Sequence, residues 1–250
     1  MNKTLLAATL LVLSFSAHAA DSPLSGNITL TSDYKFRGYT QTNYKPALQG
    51  GFDYALPGGF YIGNWNSSIE QSLYGGASLE SDVYGGYKGK IGALDLDVGA
   101  IHYMYPGSTG PKISNSELYF GLTAGPFAAK LYYALTDYFA FGKIARAGGN
   151  ASAPDTDGTI YVDLAANQDL GGGLTLNAHV GLLRLKSASD YGLPSTVTDY
   201  KIGVSKDFSG WVLGLAYIGT DEKAFAPTGF MTGARSAGDA KAMLSLTKTF

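Results

Sequence analysis

The stretch Asp239-Ala-Lys-Ala-Met-Leu-Ser-Leu-Thr-Lys-Thr-Phe250 sets Ala242, Leu244, Leu246 and Phe250 on one side at period two, and Lys241, Ser245, Thr247 and Thr249 on the other. Side chains alternate faces along a strand, so this segment is expected to be a strand with one oily and one wet face. Its last aromatic belongs at a boundary where oil meets water. A strand of this kind needs companions, and the earlier sequence supplies them.

From Asn27 onward, Ile28, Leu30, Tyr34 and Phe36 point one way, while Asn27, Thr29, Thr31, Asp33, Lys35 and Arg37 point the other. The pattern returns at about 46–56, 59–67, 79–91, 94–105, 115–124, 127–137, 158–168, 173–185, 198–207, 211–220 and 240–250. That makes twelve segments of about ten residues, the length of a tilted membrane strand. The fourth is clear: Glu80, Asp82, Lys88 and Lys90 oppose Leu79, Val83, Tyr87 and Ile91. In the third, Phe60 and Ile62 alternate with Tyr61 and Trp65 and the faces stay open.

Connections between segments are of two kinds. Leu56 to Gly59, Ile91 to Ala93, Ala124 to Pro126, Asp169 to Gly173 and Asp207 to Gly210 are short and rich in Gly or Pro. Longer links run from Gly38 to Lys45, Ser68 to Ser78, Pro106 to Ser114, Tyr138 to Asp157, Lys186 to Thr196 and Asp221 to Gly238. Short and long alternate, as an outer-membrane barrel with both termini in the periplasm requires. A soluble sandwich has no reason to alternate so. Tyr54, Phe60, Tyr87, Phe127, Phe208, Trp211 and Phe250 lie beside the short turns, and Tyr34, Phe36, Tyr133 and Tyr217 toward the long loops, where two aromatic girdles belong.

The chain opens Met1-Asn2-Lys3, is apolar from Leu5 to Phe15, and reaches Ala17-His18-Ala19. This reads as a secretory signal peptide over residues 1–19, leaving a barrel domain over 20–250. No later stretch holds the roughly 20 apolar residues of a membrane helix, so a spanning structure here has to be a closed barrel. The 34 Gly, 18 Tyr and 12 Phe against 15% charged residues fit interleaved apolar and polar positions, and the absence of Cys leaves the fold without disulfides. A net charge of −2 without a basic run argues against a nucleic-acid partner.

If the oily face meets lipid, the other face lines the interior. Its acids are Asp33, Asp53, Glu80, Asp82, Asp95, Asp97, Glu117, Asp163 and Asp199, and its bases Lys35, Arg37, Lys88, Lys90, Lys130, Lys201 and Lys241. Asp33, Lys35 and Arg37, read as one strand at about 6.6 Å spacing, are candidates for a constriction, with Asp53, Glu80, Asp82, Glu117, Asp163 and Lys201 as further lining. The same charges also fit a salt-bridge network that fixes barrel shape. Twelve strands fall between barrels filled by their own side chains and barrels with an aqueous channel, so a narrow path is the most to expect.

Catalytic raw material is thin. The mature chain has only His102, on the lipid phase, and His179, on the luminal phase, and neither has a Ser-bearing motif nearby. No Cys, no H-x-x-x-H and no phosphate-binding glycine loop are present, so neither a metal nor another cofactor is expected. Phe139, Phe141, Phe225, Phe230 and Met231, in the two longest loops, are free to fold inward as a plug or outward as contacts.

The chain resembles the TorF family of proteobacterial outer-membrane porins. The resemblance rests on Ser32-Asp33-Tyr34-Lys35-Phe36-Arg37-Gly38 with Gln41, on Lys45 to Tyr54, on Asp82-Val83-Tyr84-Gly85-Gly86-Tyr87, on Glu117-Leu118-Tyr119 and on the Thr247-Lys248-Thr249-Phe250 ending. It implies an all-β, single antiparallel transmembrane barrel in the bacterial outer membrane, with outer-membrane lipid around it and no catalytic residues. The last strand is similar to the closing strand of such barrels, which implies that Leu246 and Phe250 serve as the signal read by the barrel-assembly machinery after periplasmic chaperones. The expected function is a passive narrow channel for small polar solutes or ions. The alternative is a closed barrel with a structural role or with surface-binding loops.

Overall fold

The computed structural model describes residues 22–222 and 237–250. The segment 1–19 and Phe225, Phe230 and Met231 lie outside the described residues. Among the described residues fourteen strands follow in chain order: β1 Leu24–Thr31, β2 Lys35–Phe36, β3 Tyr39–Thr40, β4 Ala47–Ala55, β5 Phe60–Ser68, β6 Leu79–Ile91 and β7 Leu94–Met104, then β8 Ser114–Ala124, β9 Phe127–Ala134, β10 Ile160–Gly171, β11 Leu174–Arg184, β12 Val197–Phe208, β13 Trp211–Thr220 and β14 Lys241–Thr249. Twelve of them close into one antiparallel barrel in the order β1-β14-β13-β12-β11-β10-β9-β8-β7-β6-β5-β4, and β2 and β3 pair only with each other.

The seam joins the first strand to the last. Asn27 stands opposite Thr249 and Thr31 opposite Ser245. The Gly26 N–H donates to the Phe250 carbonyl at 2.8 Å and the Phe250 N–H returns to Gly26 at 3.0 Å. Closure leaves none of the twelve wall strands with an unpaired edge, which a hydrocarbon surrounding demands.

The wall is inverted relative to a soluble protein. Leu30, Leu48, Phe52, Ile62, Leu131, Ile202, Leu215 and Leu244 are exposed on the outside, whereas Asp53, Glu80, Asp82, Glu117, His179 and Asp199 are buried inside. A belt of that size and apolarity is stable only against lipid. The third sequence segment resolves here: Phe60 and Ile62 face outward, and Tyr61 is buried inward. Short turns, the start of β1 and the end of β14 share one rim, the turn rim; the long links among the described residues share the other, the loop rim.

Two expectations are corrected. The first segment is not a strand to Arg37, because β1 stops at Thr31 and the chain turns into the lumen. Tyr34 and Phe36 are therefore buried inside rather than standing in an outer girdle, while Tyr133 and Tyr217 do face outward. The seventh segment also ends sooner, at Ala134, where the next link begins to fold inward.

Inside the wall, tyrosine rings lie over glycines of the adjacent strand. Tyr84 covers Gly63, directly opposite it in the ladder; Tyr119 covers Gly99 in the same relation; and Tyr161 reaches diagonally over Gly181. A Cβ on any of these three glycines would collide with the covering ring. Each bare backbone position thus gains a flat aromatic lid.

Candidate functional site

The lumen is occupied by the link after β1. Thr31 Oγ1 donates to the Asp33 carbonyl at 2.7 Å, which helps swing the chain off the wall. Phe36 and Tyr39 then pair across a two-residue turn whose central residues, Arg37 and Gly38, have φ of 48° and 84°. Positive φ at both positions is what a tight hairpin of this hand needs, and it is strained for Arg37. The Asp33 carboxylate closes the base, accepting from Thr40 Oγ1 at 2.6 Å and Thr42 Oγ1 at 2.7 Å. Lys35 donates to the carbonyls of Asp239 at 2.7 Å and Gly38 at 3.2 Å. Asp33, Lys35 and Arg37 are all buried, but on an inserted hairpin rather than on the barrel wall.

At the hairpin tip Arg37 meets the opposite wall. Its NH1 donates to Glu117 Oε1 at 2.9 Å and its NH2 to Oε2 at 2.7 Å, a two-pronged fork with both partners buried. NH1 also donates to the Tyr138 hydroxyl at 2.7 Å. The guanidinium carbon lies 4.2 Å from the Tyr161 ring centroid, 4.8 Å from Phe36, 5.3 Å from Tyr132 and 5.5 Å from Tyr138. Tyr103 donates to Glu117 Oε2 at 3.2 Å.

Tyr138 arrives from a second inserted link, between β9 and β10. Its turn is fixed by Asp137, whose carboxylate accepts from the N–H of Gly142, Lys143 and Thr156 at 3.0 Å each and from Thr156 Oγ1 at 2.8 Å. Behind the turn, helix α1 spans Phe141–Ala147. Phe139 packs edge-on against Phe36 at 5.5 Å and at a tilt against Tyr103 at 5.2 Å. Of the loop aromatics left open by the sequence, Phe139 and Phe141 thus fold inward and are buried.

Between the hairpin tip and the turn rim lies a cavity of about 60 Å³, room for about four waters. Arg37 and Phe36 roof it, and Tyr61, Tyr84, Tyr119, Lys88, Lys130 and Asp97 stand among its walls. Lys130 pairs with Asp97 at 2.7 Å, and the Tyr61 hydroxyl donates to Asp97 at 2.6 Å. Asp53 accepts from the Tyr84 hydroxyl at 2.9 Å. Asp163 is 2.7 Å from His179 Nδ1, and Asp199 is 2.7 Å from His179 Nε2, so the ring is clamped between two carboxylates. Lys201 faces inward opposite His179 in the ladder.

Toward the loop rim the balance tips to acid. Glu80 accepts from Tyr105 at 3.2 Å, but Glu80 Oε2, both oxygens of Asp82 and Asp33 Oδ2 are buried without a hydrogen-bond partner. Leu246 and Phe250 face outward beside the seam, Phe250 with 72% of its surface exposed.

Sequence reasoning missed three features. Tyr138 and Phe139 gave only an aromatic loop signal, with Asp137 as an unread cap. The Asp163–His179–Asp199 clamp needed the ladder register, which places Asp163 and Asp199 on either side of Gly181, two residues beyond His179. The third is a pair on the outer wall: His102 Nδ1 lies 2.8 Å from Ser116 Oγ, although no serine motif flanks either histidine. Among the described residues no carboxylate or amide faces the other His102 nitrogen, and the Ser116 N–H is taken by Thr136 Oγ1 at 3.0 Å. The pair lacks both an orienting group and an oxyanion donor.

Residues 17–250 match the model of a family described as "Bacterial protein of unknown function (Gcw_chp)". That match does not carry the TorF name. No curated protein matches the chain. Among solved structures, the chain is similar to a KdgM porin in complex with disordered oligogalacturonate, at 7% identity and a TM-score of 0.52, covering 91% of this chain and 98% of that one. It is likewise similar to a NanC porin, at 7% identity and a TM-score of 0.53, covering 91% of this chain and 98% of that one. The shared property is the closed twelve-stranded barrel, and with its lipid-facing wall the chain is a bacterial outer-membrane protein of porin-like fold.

Proposed function

We propose that this chain, which belongs to the Gcw_chp family, is a narrow outer-membrane channel for small polar solutes or ions, closed in this conformation by its own first loop. The observation that carries the reading is where the obstruction comes from. Phe36, Arg37 and Phe139, which fill the centre, are borne on inserted links, while the wall behind them keeps a cavity lined by tyrosine rings and by Lys88, Lys130 and Asp97. A plug held by contacts can leave; a strand cannot.

In this reading the turn rim and both termini face the periplasm and the long loops face outward. Residues 1–19 direct export and are removed, and the last strand, with Leu246 and Phe250, is read by the barrel-assembly machinery after periplasmic chaperones deliver the chain. Asp53, Glu80, Asp82, Glu117, Asp163 and Lys201 line the path once the hairpin, which carries Asp33, Lys35 and Arg37, has moved. The reading involves no catalytic step and no cofactor. The KdgM structure holds an oligogalacturonate, yet here two of the three cations that line the cavity are committed to carboxylates, Arg37 to Glu117 and Lys130 to Asp97.

A second reading, a permanently closed barrel acting through its loops, is favoured by the completeness of the plug. Single-channel recording in a planar lipid bilayer separates the two. Discrete current steps that grow in Arg37→Ala support the gated channel. Protein shown to be folded that carries no current in either form leaves the closed barrel.

A further inference from the structure

The groups that receive Arg37 are almost all foreign to the hairpin that carries it. Glu117 is on β8, Tyr132 on β9, Tyr161 on β10 and Tyr138 on the second inserted link; only Phe36 travels with the arginine. Withdrawal of the hairpin therefore leaves behind a built pocket: a carboxylate oriented by the Tyr103 hydroxyl and faced by three tyrosine rings. Such a pocket cannot stand empty cheaply. Glu117 is 1% exposed, and a buried carboxylate deprived of its cation is costly.

The geometry points to a receptor for a small organic cation bearing a planar guanidinium, with Arg37 acting as the chain's own stand-in for that solute. Three features of the pocket select this class. The two Glu117 oxygens each take one N–H of a fork, at 2.9 and 2.7 Å, a match that a spherical metal ion or a single ammonium does not make. The ring faces attract a delocalised cation. The unpartnered oxygens of Asp82 and Glu80, at the same end of the lumen, leave further hydrogen-bonding capacity for the N–H groups of such a solute. The solute competes with Arg37, so the species that opens the lumen is also the species it accepts. Passage rests on the channel reading above, whereas binding does not.

The test titrates agmatine into the folded Arg37→Ala protein in detergent by isothermal calorimetry, with folding established by heat-modifiable gel mobility. Saturable binding is expected, about tenfold or more tighter than to the wild-type chain and lost in Arg37→Ala/Glu117→Gln. Equal affinity in the single and double variants, or equal affinity for glucose, overturns the proposal, as does no heat at all from folded Arg37→Ala. If Arg37→Ala does not refold, the wild-type chain decides. Agmatine up to about 100 mM should speed hydrogen exchange at the Gln41 amide, and an unchanged rate overturns the inference. A bilayer recording of the same variant keeps the two claims apart, since binding without current removes the channel and leaves the receptor.

Discussion

Replacing Glu117 by Gln keeps the shape of the Arg37 partner and removes its charge. Two charge-assisted bonds, at 2.9 and 2.7 Å, become at most one ordinary bond from guanidinium to amide oxygen, with an amide N–H left facing a cation. Hydrogen bonds to charged groups contribute about 1.5–3 kcal/mol each, so the docked hairpin should lose about 3 kcal/mol, or roughly 150-fold in its docking equilibrium. The loss should stay local, because the barrel ladders do not depend on the fork. Hydrogen exchange reads this directly. The Gln41 N–H, which donates to Tyr34 at 2.7 Å, and the Thr40 N–H, which donates to Ala237 at 3.0 Å, should exchange about two orders of magnitude faster. Amides paired between β6 and β7 should hold their protection. Unchanged exchange at Thr40 and Gln41 would refute the latch, and uniform acceleration around the barrel would show that the pair supports the wall instead.

His179→Ala should leave buried Asp199 and half-buried Asp163 without the ring that both contact and lower barrel stability by about 3–5 kcal/mol in urea unfolding, whereas His102→Ala on the outer wall should cost under about 1 kcal/mol. Deleting Phe250, which stands exposed at the seam, should cut the yield of assembled barrel in cells while protein refolded in detergent melts nearly as before; equal yield would remove the assembly role. The Lys45 ammonium holds the exposed-loop Glu70 carboxyl below the usual carboxylate range. The folded state therefore gains from this pair above about pH 4.3 and loses the gain as pH falls further, by under about 1 kcal/mol given that Lys45 is largely exposed. A Glu70→Gln chain should show the same acid unfolding curve within that margin.

The barrel was legible because its solvent imposes a period of two on every wall segment, and β6 or β10 can be read from either face. The inserted hairpin was not. Tyr34 and Phe36 continue the alternation of Ile28 and Leu30 past a single interruption at Ser32, because a loop that enters a polar, aromatic lumen needs the same residue types as the wall that surrounds it. Only Arg37-Gly38 marks the turn, and a glycine after an arginine is an ordinary pair in a strand. The acids and bases of the interior were legible one by one, yet their pairing was not, since Glu117 meets a residue 80 positions away through a loop whose path the period does not encode.

The tyrosine-over-glycine contacts carry a consequence for how this wall can change over generations. A larger residue at Gly63, Gly99 or Gly181 strikes the ring of Tyr84, Tyr119 or Tyr161, and a smaller residue in place of the ring uncovers bare backbone. Each step alone is disfavoured, while the double exchange, bulk moved from one strand to its neighbour, preserves the filled volume and shifts the bore sideways. Relatives of this chain should therefore substitute these positions in pairs, and lineages that widen or re-aim the lumen should do so in jumps of two linked residues rather than by gradual trimming.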